Sequence, residues 1–141
     1  MKKSKWIMGA VITFSLLLVV VAVMYFTEIG YTQKANAEPT IDEILESSVN
    51  IPQITTNLAS NDFIRISFTI QTDSKQAKVE LEKRDFQVKN LIIQELSEMN
   101  AEEIQGKEGQ VNLQDELKVK INSLMHTGKI EQVYITESIL Q

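Results

Sequence analysis

Near its start this 141-residue chain carries one long uncharged, mostly apolar run, whereas from about residue 40 apolar and polar positions alternate with recognisable periods. Trp6 to Phe26 is a run of 21 residues without a charge, and Lys2, Lys3 and Lys5 precede it. At about 1.5 Å rise per residue a helix of that length covers ~31 Å, close to the ~30 Å of a bilayer's hydrocarbon core. Twelve of the 21 residues are Leu, Ile, Val or Phe. At about −0.3 to −0.6 kcal/mol each near mid-bilayer, they favour insertion by roughly 4 to 7 kcal/mol. The run therefore predicts one transmembrane helix over residues 6–26, with Trp6 and Phe26 at its ends. Trp6 and Tyr25 suit the two membrane–water interfaces. Three lysines before the span, against Glu28 after it, predict a cytoplasmic tip at residues 1–5 and an external body from about Thr27 onward.

A cleaved signal peptide is the competing reading, because Ala35-Asn36-Ala37 fits the small-x-small cleavage pattern. Two lengths favour retention. The apolar run exceeds the roughly 7 to 15 residues of a signal h-region, and Ala37 lies eleven residues beyond Phe26. No ionisable side chain lies inside the run, so the helix is expected to tether and not to conduct ions or protons.

Residues 27–39 are polar, hold Gly30 and Pro39, and read as a stalk. Thr40 followed by Glu43 predicts a capping box that opens a short helix, with Pro52 ending that element. Gln53 to Leu58 is expected to be a strand, and Ala59-Ser60-Asn61-Asp62 a turn. In Phe63 to Thr72, Ile64, Ile66, Phe68 and Ile70 alternate with Arg65, Ser67, Thr69 and Gln71. Period two over four apolar positions means one buried and one polar face, and the two runs read as an antiparallel hairpin.

From about Ser74 to Met99 the period becomes helical, through Ala77, Leu81, Val88, Leu91, Ile92, Leu96 and Met99, with Glu80 and Arg84 spaced to pair. The stripe breaks at Arg84-Asp85-Phe86. One reading turns the two charges to water while Phe86 takes over the core. The other makes Arg84, Asp85 and Phe86 a contact with a neighbouring copy or partner. Asn100 with Glu103 offers a second capping box for a turn ending at Gly106. A further helix is expected from about Glu108 to Met125, through Val111, Leu113, Leu117, Ile121 and Leu124, with Gly128 stopping it. Ile130 to Leu140, rich in Val, Ile, Tyr and Thr, reads as a closing strand beside the hairpin. The class is α+β, with helices on one face of an antiparallel sheet and a single external domain over residues 40–141.

Composition narrows the chemistry. From Glu38 on there are 18 acidic and 10 basic residues, a balance of −8, which argues against nucleic acid as a partner. Cysteine is absent, so a domain of about a hundred residues must rely on its packed core. His126 is the only histidine, too few donors for a zinc site, and its place near a predicted helix end suits a structural cation. Glu80, Glu82 and Asp85 among lysines resemble a charge-laced solvent face more than a catalytic pair. Gly106 and Gly109 are a weak phosphate-loop signal. No catalytic residue, cofactor-binding residue or metal ligand is assigned, and no enzyme activity is expected.

Longer stretches carry a resemblance. Leu81-Glu82-Lys83-Arg84-Asp85-Phe86-Gln87-Val88-Lys89-Asn90 is followed by Ala101-Glu102-Glu103-Ile104-Gln105-Gly106 and Gly109. Ile121-Asn122, Gly128-Lys129-Ile130-Glu131-Gln132-Val133-Tyr134-Ile135-Thr136 and Gln141 complete the series. In order and spacing these segments resemble the flagellar basal-body-associated FliL family, as does the layout of tip, span, stalk and external domain. The resemblance implies a single-pass protein of the bacterial inner membrane at the flagellar basal body, with a stomatin-like domain outside the membrane. It also implies a non-enzymatic accessory that self-associates into a ring around flagellar stator proteins (MotA/MotB-like) and supports torque, swimming and swarming. A membrane-tethered binding or sensory module of another envelope complex is the alternative class.

Overall fold

The computed structural model describes residues 14–25 and 38–141, and the chain divides into two compact units, up to Pro39 and from Thr40. In the first unit, residues 14–25 form helix α1, uncharged and with every side chain exposed. Among the described residues no helix is long and apolar enough to cross a membrane. Trp6, Phe26 and the Ala35-Asn36-Ala37 segment lie outside the described residues.

The second unit runs α2 (Ile41–Glu46), β1 (Ser48–Asn57), β2 (Phe63–Thr72), α3 (Lys75–Lys83), α4 (Asp85–Glu98), α5 (Ala101–Ile104), α6 (Gly106–Asn122) and β3 (Ile130–Leu140). Its sheet is antiparallel in the order β1-β2-β3, so the expected hairpin forms and the closing strand pairs beside it. The central strand explains why. Ile64, Ile66, Phe68 and Ile70 on β2 are each no more than 1% exposed, whereas Arg65, Ser67 and Thr69 between them are half-buried. Leu81, Val88, Ile92 and Leu96 from the α3–α4 stretch join this face, with Leu113, Leu117 and Ile121 from α6. Periods of two and of three to four thus meet in one core, giving the expected α+β class.

The opposite face of the sheet is polar and cross-linked. Thr69 Oγ1 donates to Asn50 Oδ1 at 2.9 Å, and Tyr134 OH to Gln71 Oε1 at 3.1 Å. Glu137 Oε2 accepts from both Gln53 Nε2 and Ser67 Oγ, at 3.2 and 3.3 Å. Among the described residues no buried side-chain nitrogen or oxygen lacks a hydrogen-bond partner.

Several boundaries differ from expectation. Pro52 does not end the first helix. α2 stops at Glu46, where the Ser47 backbone N–H returns to Glu43 O, and β1 begins at Ser48, five residues earlier than expected. Pro52 instead sits in a register shift between Ile51 and Ile54 on an edge strand, where its missing N–H interrupts no ladder. The long helix of Ser74–Met99 is two helices that meet at Arg84. α6 begins at Gly106 (φ +76°) and ends at Asn122, three residues short of Met125. Asn122 accounts for the stop: its Oδ1 accepts from Ile130 N at 2.8 Å and its Nδ2 donates to Ile130 O at 3.2 Å. Val111, expected in the core, is 40% exposed. Both capping boxes form, Thr40 with Glu43 and Asn100 with Glu103.

Gly109 is a packing residue. A Cβ there would lie 2.2 Å from Glu103 O and 2.9 Å from Ile104 C, so only glycine lets α6 approach the backbone of α5.

Phe68→Ala is expected to lower unfolding stability by about 3–5 kcal/mol, because the cavity opens in the core of the folded domain. Val119→Ala, on the exposed side of α6, stays within about 0.5 kcal/mol of the parent. Denaturant unfolding of the two variants side by side checks the contrast.

Candidate functional site

The break predicted at Arg84 is the best-defined polar cluster of the domain. The chain loses one residue of regular helix there, with Arg84 at φ −94°, ψ 10°, and regains it at Asp85. Hydrogen bonding nearly continues across the break: Arg84 N–H donates to Glu80 O and Leu81 O, and Val88 N–H to Arg84 O. The guanidinium folds back along the helix. Its Nε and Nη2 each lie 2.8 Å from Glu80 Oε1, and Nη1 lies 3.0 Å from Gln87 Oε1. Asp85 reaches forward instead, its Oδ2 2.7 Å from Lys89 Nζ. Arg84 and Asp85 are therefore engaged within their own chain.

Glu80 does more than balance Arg84. Its carboxylate also accepts from the backbone N–H groups of His126 (3.0 Å) and Thr127 (2.6 Å), 46 and 47 residues further along. Burial acts to raise its pKa, but the Arg84 guanidinium and those two N–H groups outweigh it and bring the value down to about 2. Glu80 thus clamps the loop between α6 and β3 onto the end of α3. The expected pairing of Glu80 with Arg84 is present. The loop half of the clamp has no sequence signal, because it joins segments distant in the chain. His126 lies four residues past the end of α6 and is exposed, so its backbone N–H, and not a ring charge at a helix end, fixes its place.

Phe86 departs from the reading in which it replaces the charges in the core. It is 69% exposed, while the neighbouring Val88 is fully buried. The reason is angular. At about 100° per residue, Val88, Ile92 and Leu96 share one side of α4 and Phe86 lies on the other. Val79 (48%) and Ile93 (40%) are exposed as well, each seven residues from Phe86.

Between the helices, the carboxylate of Glu95, 7% exposed, meets Lys120 Nζ, which also pairs with Glu116 at 3.2 Å. Among the described residues no group of three or more His, Cys, Asp or Glu side chains is placed to hold a metal ion. Glu82 is exposed, apart from the Glu80 cluster. The clamps are thus internal ties of the domain, and the apolar side chains of Val79, Phe86 and Ile93 stand exposed beside them.

Residues 48–141 of this domain match the family model described as flagellar basal body-associated protein FliL. The chain belongs to the FliL family. It is 48% identical over 120 residues to a flagellar protein FliL of Bacillus subtilis (strain 168), covering 85% of this chain and 86% of that protein. It is also similar to a flagellar protein FliL of Aquifex aeolicus (strain VF5), at 30% identity over 93 residues, covering 64% of this chain and 58% of that one. The matched region begins at the first residue of β1 and takes in the whole sheet, the clamp and the Phe86 stripe. The resemblance drawn from the segments around Arg84, Gly106 and Tyr134 is thereby shown, and with it membership of a flagellar basal-body-associated family.

A carboxyl whose pKa is lowered on folding stabilises the fold at pH values above its ordinary range, about 4.5. That contribution drains away as the pH falls from there towards about 2. Glu80→Gln is accordingly expected to be less stable than the parent at neutral pH and to show a shallower loss on acidification. Thermal unfolding followed by circular dichroism between neutral pH and pH near 2 measures the difference. Equal pH profiles would show that the clamp contributes nothing.

Proposed function

We propose that the protein is a membrane-anchored, non-enzymatic accessory of the flagellar motor. In this reading residues 6–26 span the bacterial inner membrane, residues 1–5 face the cytoplasm, residues 27–39 form a stalk, and the domain of residues 40–141 stands outside. Copies associate side by side into a ring around the stator proteins and support torque, swimming and swarming. The observation that carries the reading is the family match over the folded domain, with nearly half of 120 aligned positions shared with a flagellar relative.

Two physical features agree with it. The described part of the apolar run, residues 14–25, is helical, uncharged and exposed all round. A helix apolar on every side needs a non-aqueous environment, and lipid supplies one. The folded domain, in turn, has ion-paired helices and an exposed apolar stripe.

Deletion is expected to reduce swimming and swarming, most strongly under viscous load, while filaments still assemble. The full-length protein should fractionate with membranes and co-purify with stator proteins. Undiminished motility under load together with no stator association would remove the motor assignment. A shortened polypeptide starting near Glu38 in the culture fluid would remove the anchor.

A further inference from the structure

The polar face of the sheet changes character along its length. Over most of it the side chains bond to one another, as Glu137 does with Gln53 and Ser67, and Thr69 with Asn50. Towards the hairpin turn they do not. There Arg65 stands opposite Thr55 on β1 and Ile139 on β3, and Phe63 lies two residues away on the same strand and the same face. Such neighbours have Cβ atoms about 5–7 Å apart, so Phe63, Arg65 and Ile139 form one patch. Phe63 is 52% and Ile139 38% exposed. Arg65 is half-buried, and its guanidinium has no hydrogen-bond or ion-pair partner among the described residues. The chain's other arginine, Arg84, is fully engaged by Glu80 and Gln87.

We infer that the patch of Phe63, Arg65 and Ile139 receives a segment of a stator protein that carries a carboxylate beside apolar side chains. The inference rests on the stator association proposed above and adds the surface and the chemistry of the segment. A guanidinium has five N–H donors, and any protein that covers this patch takes water away from them. A desolvated cation without acceptors is strongly unfavourable, so the occupant has to supply them, and a carboxylate matches the planar fork. The charged side chains of the three strands are Arg65, Glu131 and Glu137. Glu131 is paired with Lys129 at the far end of β3, and Glu137 already accepts from Gln53 and Ser67. None of Glu137, Asp62 in the adjoining turn and Gln141 after β3 forms an ion pair with Arg65. The cation is therefore the group whose bonds are still to be made. Phe63 and Ile139 beside it supply apolar area that excludes water around such a pair. A second copy is the poorer occupant. Two such faces in contact would set Arg65 against Arg65, and bodies of net −8 repel each other.

In the full-length protein Phe63 is replaced by the photoreactive benzoylphenylalanine, and in a second variant Phe86 on the outer side of α4 is replaced likewise. Irradiation of native membranes holding the stator proteins is expected to capture a stator protein at position 63, with or without capture at 86. Arg65→Gln should lower the stator protein that co-purifies by about tenfold or more, the worth of one charge-assisted pair. Arg65→Lys keeps the charge and should lose less. Zero-length carbodiimide coupling of the Arg65→Lys variant should join position 65 to an Asp or Glu of the stator protein. An unfolding midpoint close to the parent's checks that each variant keeps its fold. Capture at position 86 alone overturns the inference, as does capture of a second copy or of a protein outside the stator at position 63. So do coupling of position 65 to Glu137 alone and parent-level co-purification with Arg65→Gln. Silence at both photoreactive positions, while the parent still co-purifies with stator proteins, would overturn the surface and leave the association standing. A parent that brings down no stator protein would take the proposed function down and this inference with it.

Discussion

Four side chains on the central strand, Ile64, Ile66, Phe68 and Ile70, set the condition that everything else in the domain satisfies. A strand flanked on both sides and apolar on one face must have that face covered, and without disulfides nothing else closes so small a domain. The covering is shared among segments far apart in sequence. Leu81 and Val88 arrive from the two sides of the Arg84 break, Leu113 and Leu117 from α6, and Val133 from the last strand. The polar face of the same sheet shows the complementary solution, with hydrogen-bonded pairs such as Thr69–Asn50 standing in place of burial.

The Glu80 clamp holds the covering layer together at one end. By taking Arg84 and two loop amides on a single carboxylate, it ties the helix break to the loop that leads into β3. Glu95 and Lys120 do the same between α4 and α6. These polar ties leave the outer backs of the helices free of internal work, which is why a phenylalanine can be displayed there at so little cost to the core.

The parts legible in the sequence are those governed by local rules. Both β2 and β3 fall on their expected bounds, Phe63–Thr72 and Ile130–Leu140, because alternation and β-branched composition are readable residue by residue. The two capping boxes are equally local. Misreadings occur where a local sign has a non-local answer. Pro52 looks like a terminator until it is known to lie at a bulge on an edge. Asn122 looks like mid-helix until Ile130 returns to meet it. Phe86 looks like core because it is large and aromatic, yet its angular position excludes it from the side shared by Val88 and Ile92. The apolar opening is a different case. Its pattern speaks clearly, while the residues at its ends, Trp6 and Phe26, lie outside the described structure.

The bulged proline on β1 and the side-chain amides that engage β3 share a consequence for behaviour in a crowd. Open sheet margins invite stray strands to zip on, and proteins gathered at high local density face that hazard constantly. Here one margin has lost a donor at Pro52, and the other has its Ile130 and Ile135 amides already occupied by Asn122 and Gln114. Such margins allow neighbours to crowd together without fusing their sheets into fibrils.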